Sequence, residues 1–247
     1  MTTALIDADI LAYRMAAWCQ ANQIDALEGR DHVISVGVDW SKAVGADHTV
    51  MVLSHPTEKS FRYQVLPTYK HNRKDAVPPE FRRLFEQVLR DEFRSIERQG
   101  LEADDLLGVM MTNGKVEDPI CISIDKDLLQ IPGEHFNPVK GERTTITPEL
   151  GLWKFHLQWL TGDPTDGYGG VAGIGPKKAE GILAPFWEDD GTYRGEEAEK
   201  AVVQTYDDKG YDFTYCVQMA QIAKILTAPE WDPKTNLIRL FEPETRF

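Results

Sequence analysis

The chain has 247 residues, 42% of them hydrophobic and 27% charged, the balance of a globular protein with one large domain or a domain and a small appendage. Forty acidic against 27 basic side chains give a net charge of −13, which excludes a uniformly basic nucleic-acid-binding surface. No apolar run approaches the ~20 residues that cross a bilayer, the Met-Thr-Thr-Ala-Leu-Ile-Asp start has no leader-like pattern, and Cys19, Cys121 and Cys216 form no C-x-x-C pair. A cytoplasmic protein without membrane partner, zinc site or disulfide framework is therefore expected.

The opening Ala4-Leu5-Ile6-Asp7 reads as a short buried strand, followed by a helix over residues 10–19. A second helix is predicted over 32–44, with Asp31 as its cap. Residues 48–53 form a second buried strand, and 61–66 an edge strand beyond it. Pro78-Pro79 then opens a helix in which Phe81, Leu84, Phe85, Val88, Leu89, Phe93 and Ile96 recur at helical spacing. A third helix covers 103–111 and another strand 119–124. Apolar strands alternating with helices predict an α/β fold with a mostly parallel central sheet. After Pro148 the pattern turns helical, with Leu150, Trp153, Leu157 and Leu160 on one stripe, and stays so to about residue 226. The domain division this suggests is 1–147 and 148–247.

Charge is distributed unevenly. Residues 59–98 carry ten Lys/Arg against six Asp/Glu, whereas 187–213 carry nine acids against three bases. More informative is where the acids fall, because ligands in open α/β sheets bind beyond the carboxyl ends of the strands. Asp7 ends the first strand, with Asp9 two residues on. Asp125 and Asp127 follow the strand at 119–124. Glu102, Asp104 and Asp105 open a helix, and Asp163 and Asp166 occupy a turn after one. Singly, each has an ordinary structural role as helix cap, first-turn acid or turn former. Together they would repel one another unless a cation joins them. Oxygen donors without accompanying Cys or His pairs suit Mg²⁺ or Mn²⁺.

Three runs, Gly-Leu-Glu-Ala-Asp-Asp (100–105), Ile-Ser-Ile-Asp-Lys-Asp (122–127) and Gly-Asp-Pro-Thr-Asp-Gly-Tyr-Gly-Gly-Val-Ala-Gly-Ile-Gly-Pro-Lys-Lys-Ala (162–179), resemble the flap endonuclease family. The likeness is to short bacteriophage 5′→3′ exonucleases and the 5′-nuclease domains of bacterial DNA polymerases, and it covers most of the chain up to about residue 183. It implies a PIN-like core with a helical arch over 66–98 and a carboxyl-terminal helix–hairpin–helix type part. It also implies two-metal hydrolysis of DNA phosphodiesters at 5′ ends and single-strand/duplex junctions, with ions ~3.5–4 Å apart. Asp7, Glu102, Asp104 and Asp105 would serve one ion, and Asp125, Asp127, Asp163 and Asp166 the other.

By the same resemblance Tyr69, Lys70, Arg73 and Lys74 form the base of the arch. Lys70 and Arg73 are the expected catalytic cations on the scissile phosphate, and Tyr69 is expected to stack on an unpaired base. Gly173 and Gly175 would let backbone amides approach duplex phosphates, with Lys177 and Lys178 beside them and a K⁺ ion permitted there. RNA primers are a further expected substrate, the monomer the expected state, and a phage-encoded protein would act in the host cytoplasm. Where family members carry another Asp after the second strand, this chain reads Leu53-Ser54-His55-Pro56-Thr57-Glu58. His55 or Glu58 could replace that ligand, or water could fill its place. Two rival readings are a compact PIN-type ribonuclease, against which residues 162–179 speak, and a DNA-binding protein with a decayed metal site.

Overall fold

The computed structural model describes residues 1–57 and 59–244; the expectation attached to Glu58 lies outside the described residues. Six strands form the central sheet: β1 (Thr3–Asp7), β2 (His48–Val52), β3 (Ser95–Ile96), β4 (Pro119–Ile122), β5 (Gly133–Asn137) and β6 (Glu142–Ile146), in the order β3-β2-β1-β4-β5-β6. Every neighbouring pair is parallel except β5–β6, which is antiparallel. β1 lies in the middle with all five residues buried, because both faces of the sheet are covered and no solvent-facing alternation is needed.

The two-residue period of the strand sends neighbours to opposite faces. Ile6 and Met51 pack with Leu11 and Ala16 of α1 (Ala8–Asn22) and Val33 of α2 (Ala26–Ala43). The chain then passes through α3 (Arg62–Val65) to α4 (Arg82–Glu92), whose Phe85 and Leu89 complete that layer. Leu5, Val50 and Val52 face the other way, toward Leu106 and Leu107 of α5 (Ala103–Thr112).

A third apolar cluster is built by α6 (Pro148–Thr161), α7 (Pro176–Leu183), α8 (Gly195–Asp208) and α9 (Phe213–Ala223) around Trp159, Tyr206 and Met219. Two hydrogen bonds cross this layer: Trp159 Nε1 donates to the Cys216 carbonyl (2.9 Å) and the Tyr206 hydroxyl to the Trp159 carbonyl (2.6 Å), while Trp153 Nε1 and His156 Nε2 are buried without a hydrogen-bond partner among the described residues. Small hairpins join this layer to the site, β7 (Gly162–Asp163) with β8 (Tyr168–Gly169), and close the chain, β9 (Trp231–Asp232) with β10 (Leu237–Ile238). Ile225, Leu226 and Trp231 return to pack beside α5, so the segment after α9 contributes to the sheet's own core. All three cysteines are buried thiols. Among the described residues no helix is long and apolar enough to cross a membrane.

Several boundaries differ from expectation, each for a local reason. The second helix starts six residues early because Asp25, not Asp31, caps it by accepting from the amides of Leu27 and Glu28. Residues 61–66 make α3 rather than an edge strand; Ser95–Ile96 takes the edge. The helix after Pro78-Pro79 stops at Glu92, and α4 packs on α1 and α2. Of the expected arch, 82–92 is therefore a helix with Phe85, Val88 and Leu89 packed into the core, and the link over 74–80 is exposed except at Pro79. On α6 the buried positions are Gly151, Phe155, His156, Trp159 and Leu160, so of the expected stripe only Leu160 is fully covered. β5 and β6 carry too many polar residues to signal themselves.

α5 runs close beneath the 225–226 segment. A Cβ on Gly108 would stand 2.2 Å from the Leu226 carbonyl oxygen, a backbone atom that cannot swing aside. The helix-propensity gain of Gly108→Ala is about 1 kcal/mol, less than the ~1–3 kcal/mol overpacking costs. The variant should therefore unfold at lower denaturant than the parent in an equilibrium urea titration.

Candidate active site

The acids gather where the parallel strands end. Asp7 closes β1 and caps α1, its Oδ1 accepting from the Ile10 amide (3.1 Å) and its Oδ2 from the Ser123 hydroxyl (2.9 Å) just past β4. Asp9 accepts from the Ser54 amide (3.1 Å), and the Ser54 hydroxyl accepts from the Ala103 amide (3.0 Å) at the start of α5. The loops after β1, β2 and β4 are thus joined through two serines to the helix that carries Asp104. The Ser123 hydroxyl also accepts from the Asp125 amide (3.0 Å), and Asp125 Oδ1 from the Asp127 amide (2.8 Å). Gln158 of α6 donates to Asp127 (2.8 Å), and Asp163 forms a turn by accepting from the Thr165 amide (2.7 Å).

The electrostatics show that these carboxylates feel one another. Burial, then the charges of Asp9 and Asp125, push Asp7 up to about 7. Burial, then Asp7, Asp125 and Glu102, drive Asp104 well above the ordinary carboxylate range. Asp125 is raised by burial and by Asp166 and Asp163, and Asp127 is pushed up to about 7 by burial, Asp125 and Asp163. Asp125 therefore belongs to both groups, one at β1/α5 and one at the 163–166 turn. Among the described residues no set of three His, Cys, Asp or Glu side chains is already arranged to hold an ion.

The other half of the site is cationic. Burial would raise Glu102, but Lys70 and Arg62 outweigh it and hold Glu102 below its usual value. Lys70 pairs with Glu102 and lies 3.6 Å from Asp166. Its backbone takes a left-handed φ of 54°, and its amide donates to the Asp166 carbonyl (2.8 Å). Arg73 pairs with Asp166 and donates from Nε to the Thr165 carbonyl (3.0 Å), while Asn72 donates to that of Pro164 (2.7 Å). Residues 70–73 are in this way strapped onto the 163–166 turn. Lys74 is exposed beyond the strap.

Two expectations require correction. Tyr69 is only 3% exposed, edge-on to Tyr63, with its hydroxyl 2.8 Å from Asp166 and 3.0 Å from Glu102. It orients carboxylates in this conformation and offers no face to a base. Asp105 is completely buried, and both its oxygens accept from the Arg62 guanidinium (2.6 and 2.9 Å), with the Leu226 amide also at 3.3 Å. It is turned to Arg62 rather than left free for an ion. Sequence reasoning missed Arg62, Ser54, Ser123 and Gln158. The serines carry a usable signal, since each follows a strand that ends at the acids. His55 stands 3.5 Å from the Thr57 hydroxyl.

Next to the strap, the loop 169–175 leads into α7. Gly173 has φ +78° with open space around it, Gly175 caps the helix, and Pro176 occupies its first turn. Lys177 and Lys178 are exposed, Lys178 reaching back to the Gly173 carbonyl (2.8 Å). The Tyr211 hydroxyl accepts from the Ala172 amide (3.1 Å) and steadies the loop.

A family model for the 5′–3′ exonuclease N-terminal, resolvase-like domain matches residues 2–154. The chain belongs to this 5′–3′ exonuclease family. It is 34% identical over 193 residues to the exodeoxyribonuclease of phage T3, covering 74% of this chain and 59% of that one. To the flap endonuclease Xni of a Shewanella species it is 30% identical over 200 residues, 74% of each chain. The fold is that of a phage T5 protein co-crystallized with metal ions, at TM-score 0.65 and 18% identity, covering 91% of this chain and 90% of that one. The chain thus spans about three fifths of the phage T3 relative's length. The carboxylates from Asp7 to Asp127 all fall within the stretch that defines the family, and Asp163 and Asp166 lie just beyond it.

Raised carboxyls make the fold hold protons that the unfolded chain has released, so between the two pKa values stability falls as pH rises. For Asp7 and Asp127 that loss is complete only above about 7. His135 and His156, held low by burial, act in the opposite sense only below the ordinary histidine value. Metal-free protein should therefore melt a few degrees lower at pH 8.5 than at pH 6.5, and millimolar Mg²⁺ should raise the melting temperature more at pH 8.5. A calorimetric scan showing no such pH dependence would contradict the uncompensated cluster.

Proposed function

We propose that the chain is a divalent-metal-dependent 5′ nuclease that hydrolyses DNA phosphodiesters near 5′ ends and single-strand/duplex junctions, with RNA primers as further substrates. The observation that carries this reading is the pairing of two charge patterns. Burial, with the charge of Asp125 acting on Asp7, Asp104 and Asp127, raises these carboxyls beside Lys70 and Arg73, cations already aimed at Glu102 and Asp166. The names of the phage T3 exodeoxyribonuclease and the Shewanella flap endonuclease support the chemistry.

Divalent cations fit the donor set, which offers only oxygens and carries surplus negative charge. Mg²⁺ and Mn²⁺ retain several waters, so a site with one or two direct carboxylates each suffices. Asp7, Glu102 and Asp104 would hold one ion, and Asp125, Asp127, Asp163 and Asp166 the second. Bound there, the ions would supply charge stabilisation to the attacking and leaving oxygens.

The chain's own groups do the rest. Lys70 and Arg73 exchange their carboxylate partners for the scissile phosphate, Arg73 with a fork suited to two phosphate oxygens. Tyr69 keeps Glu102 and Asp166 oriented during that exchange. The loop 169–175 and the start of α7 form a helix–hairpin–helix type element. Its amides, with Lys177 and a K⁺ ion, hold duplex phosphates without reading sequence. The protein works as a monomer in the cytoplasm of the cell that contains the DNA.

The test is cleavage of a 5′-labelled flap in Mg²⁺ or Mn²⁺, which excess chelator should abolish. Asp125→Asn or Asp104→Asn should reduce the rate by at least about a hundredfold, the scale on which lost electrostatic stabilisation acts, and leave duplex affinity near the parent's. Lys177→Ala with Lys178→Ala should instead weaken binding and flatten its salt dependence. Tight binding with no cleavage in either metal would return the non-catalytic reading.

A further inference from the structure

Arg62 lies on the short helix α3, 3% exposed, with every N–H of its guanidinium engaged. Nε donates to the Ile222 carbonyl (3.0 Å). Nη1 donates to Asp105 (2.6 Å) and Glu102 (3.1 Å). Nη2 donates to Asp105 (2.9 Å) and the Lys224 carbonyl (2.8 Å). Two of these partners stand at the start of α5, where the acids gather, and two at the carboxyl end of α9 in the helical layer. Leu226, whose amide bonds Asp105, follows directly.

We infer that Arg62 is a positioning residue of the nuclease: with Asp105 as its anchor, it fixes the direction of Glu102 and ties the helical layer to the carboxylate cluster. The inference rests on the nuclease reading above, and it moves Asp105 from the ion-binding set to the support behind it. The geometry distinguishes the two roles. A carboxylate whose oxygens are both taken by a buried guanidinium has its charge already compensated and its lone pairs directed away from an ion. Glu102 is different: one oxygen is held by Arg62 and Tyr69 and the other by Lys70, whose side chain is 18% exposed against 4% for Arg62. Arg62 thus acts on the reaction through Glu102. An ammonium cannot reproduce this, because five fixed N–H directions are used at once and a lysine offers three.

The test is Arg62→Lys, with Arg62→Met/Asp105→Leu as a second variant that removes both buried charges, a replacement often neutral for stability. Arg62→Lys should bind a 5′-flap duplex in Ca²⁺ with the parent's affinity. In Mg²⁺ it should lose at least tenfold in kcat with KM unchanged, at a temperature where its melting curve shows it folded. The double variant should bind the parent's number of Mn²⁺ ions by calorimetric titration, with weaker affinity, and cleave slowly. Parent-like kcat in folded Arg62→Lys would overturn the positioning role, and loss of one Mn²⁺ ion in the double variant would restore Asp105 as a ligand. If the parent itself neither binds Mn²⁺ nor cleaves, it is the nuclease reading that fails.

Discussion

Negative charges brought together out of water repel, and the whole arrangement of this protein turns on how that repulsion is managed. β1 and β4 are central, parallel and adjacent, so Asp7 and the 123–127 loop must emerge side by side. α5 delivers Asp104 to the same place, and the β7–β8 hairpin brings Asp163 and Asp166 from the helical layer. Backbone amides and serine hydroxyls satisfy part of this charge, as Ser123 does for Asp7. They do not satisfy all of it, and the remainder appears as carboxyls pushed up to about 7. A fold that keeps such a group at the mouth of its sheet has a place for cations.

The protein's own cations divide that task by depth. Arg62 is buried and fully bonded, so its partners are fixed with the fold. Lys70 and Arg73 sit farther out, on a strap whose backbone is pinned to the 163–166 turn while the charged ends remain near solvent. The inner cation supplies rigidity, and under the proposed function the outer two exchange their carboxylate partners for phosphate. In the proposed function this difference in burial lets one cluster be both well ordered and open to a polyanion, despite the chain's net charge of −13. Local charge at the site, not the sum over the chain, governs the encounter.

The strands and the ends of the helices nearest the acids were legible because their residues obey simple rules. β1, β2, β4 and α5 appear as apolar runs beside acids, and they put Asp7, Asp125 and Asp127 at or just past strand ends and Asp104 at the start of a helix. Residues 61–66 were misread because Phe61, Tyr63 and Val65 alternate like a strand, whereas tertiary contacts wind them into a single helical turn. With that turn went Arg62, whose role depends on partners 40 to 162 positions away along the chain. Tyr69 shows the same limit: an aromatic beside basic residues suggests a base-stacking platform, yet its hydroxyl finds two carboxylates and the ring is drawn into the core. Local pattern identifies elements and candidate acids. Which acid faces an ion and which faces an arginine is decided by long-range packing.

The most direct measurement is anomalous diffraction from crystals of the protein soaked in Mn²⁺. The account predicts manganese peaks at the carboxyl ends of β1 and β4, one beside Asp7, Glu102 and Asp104 and one between Asp125 and the 163–166 turn, with none against Asp105. Absence of manganese from the strand ends, or a peak bound directly by Asp105, would contradict it.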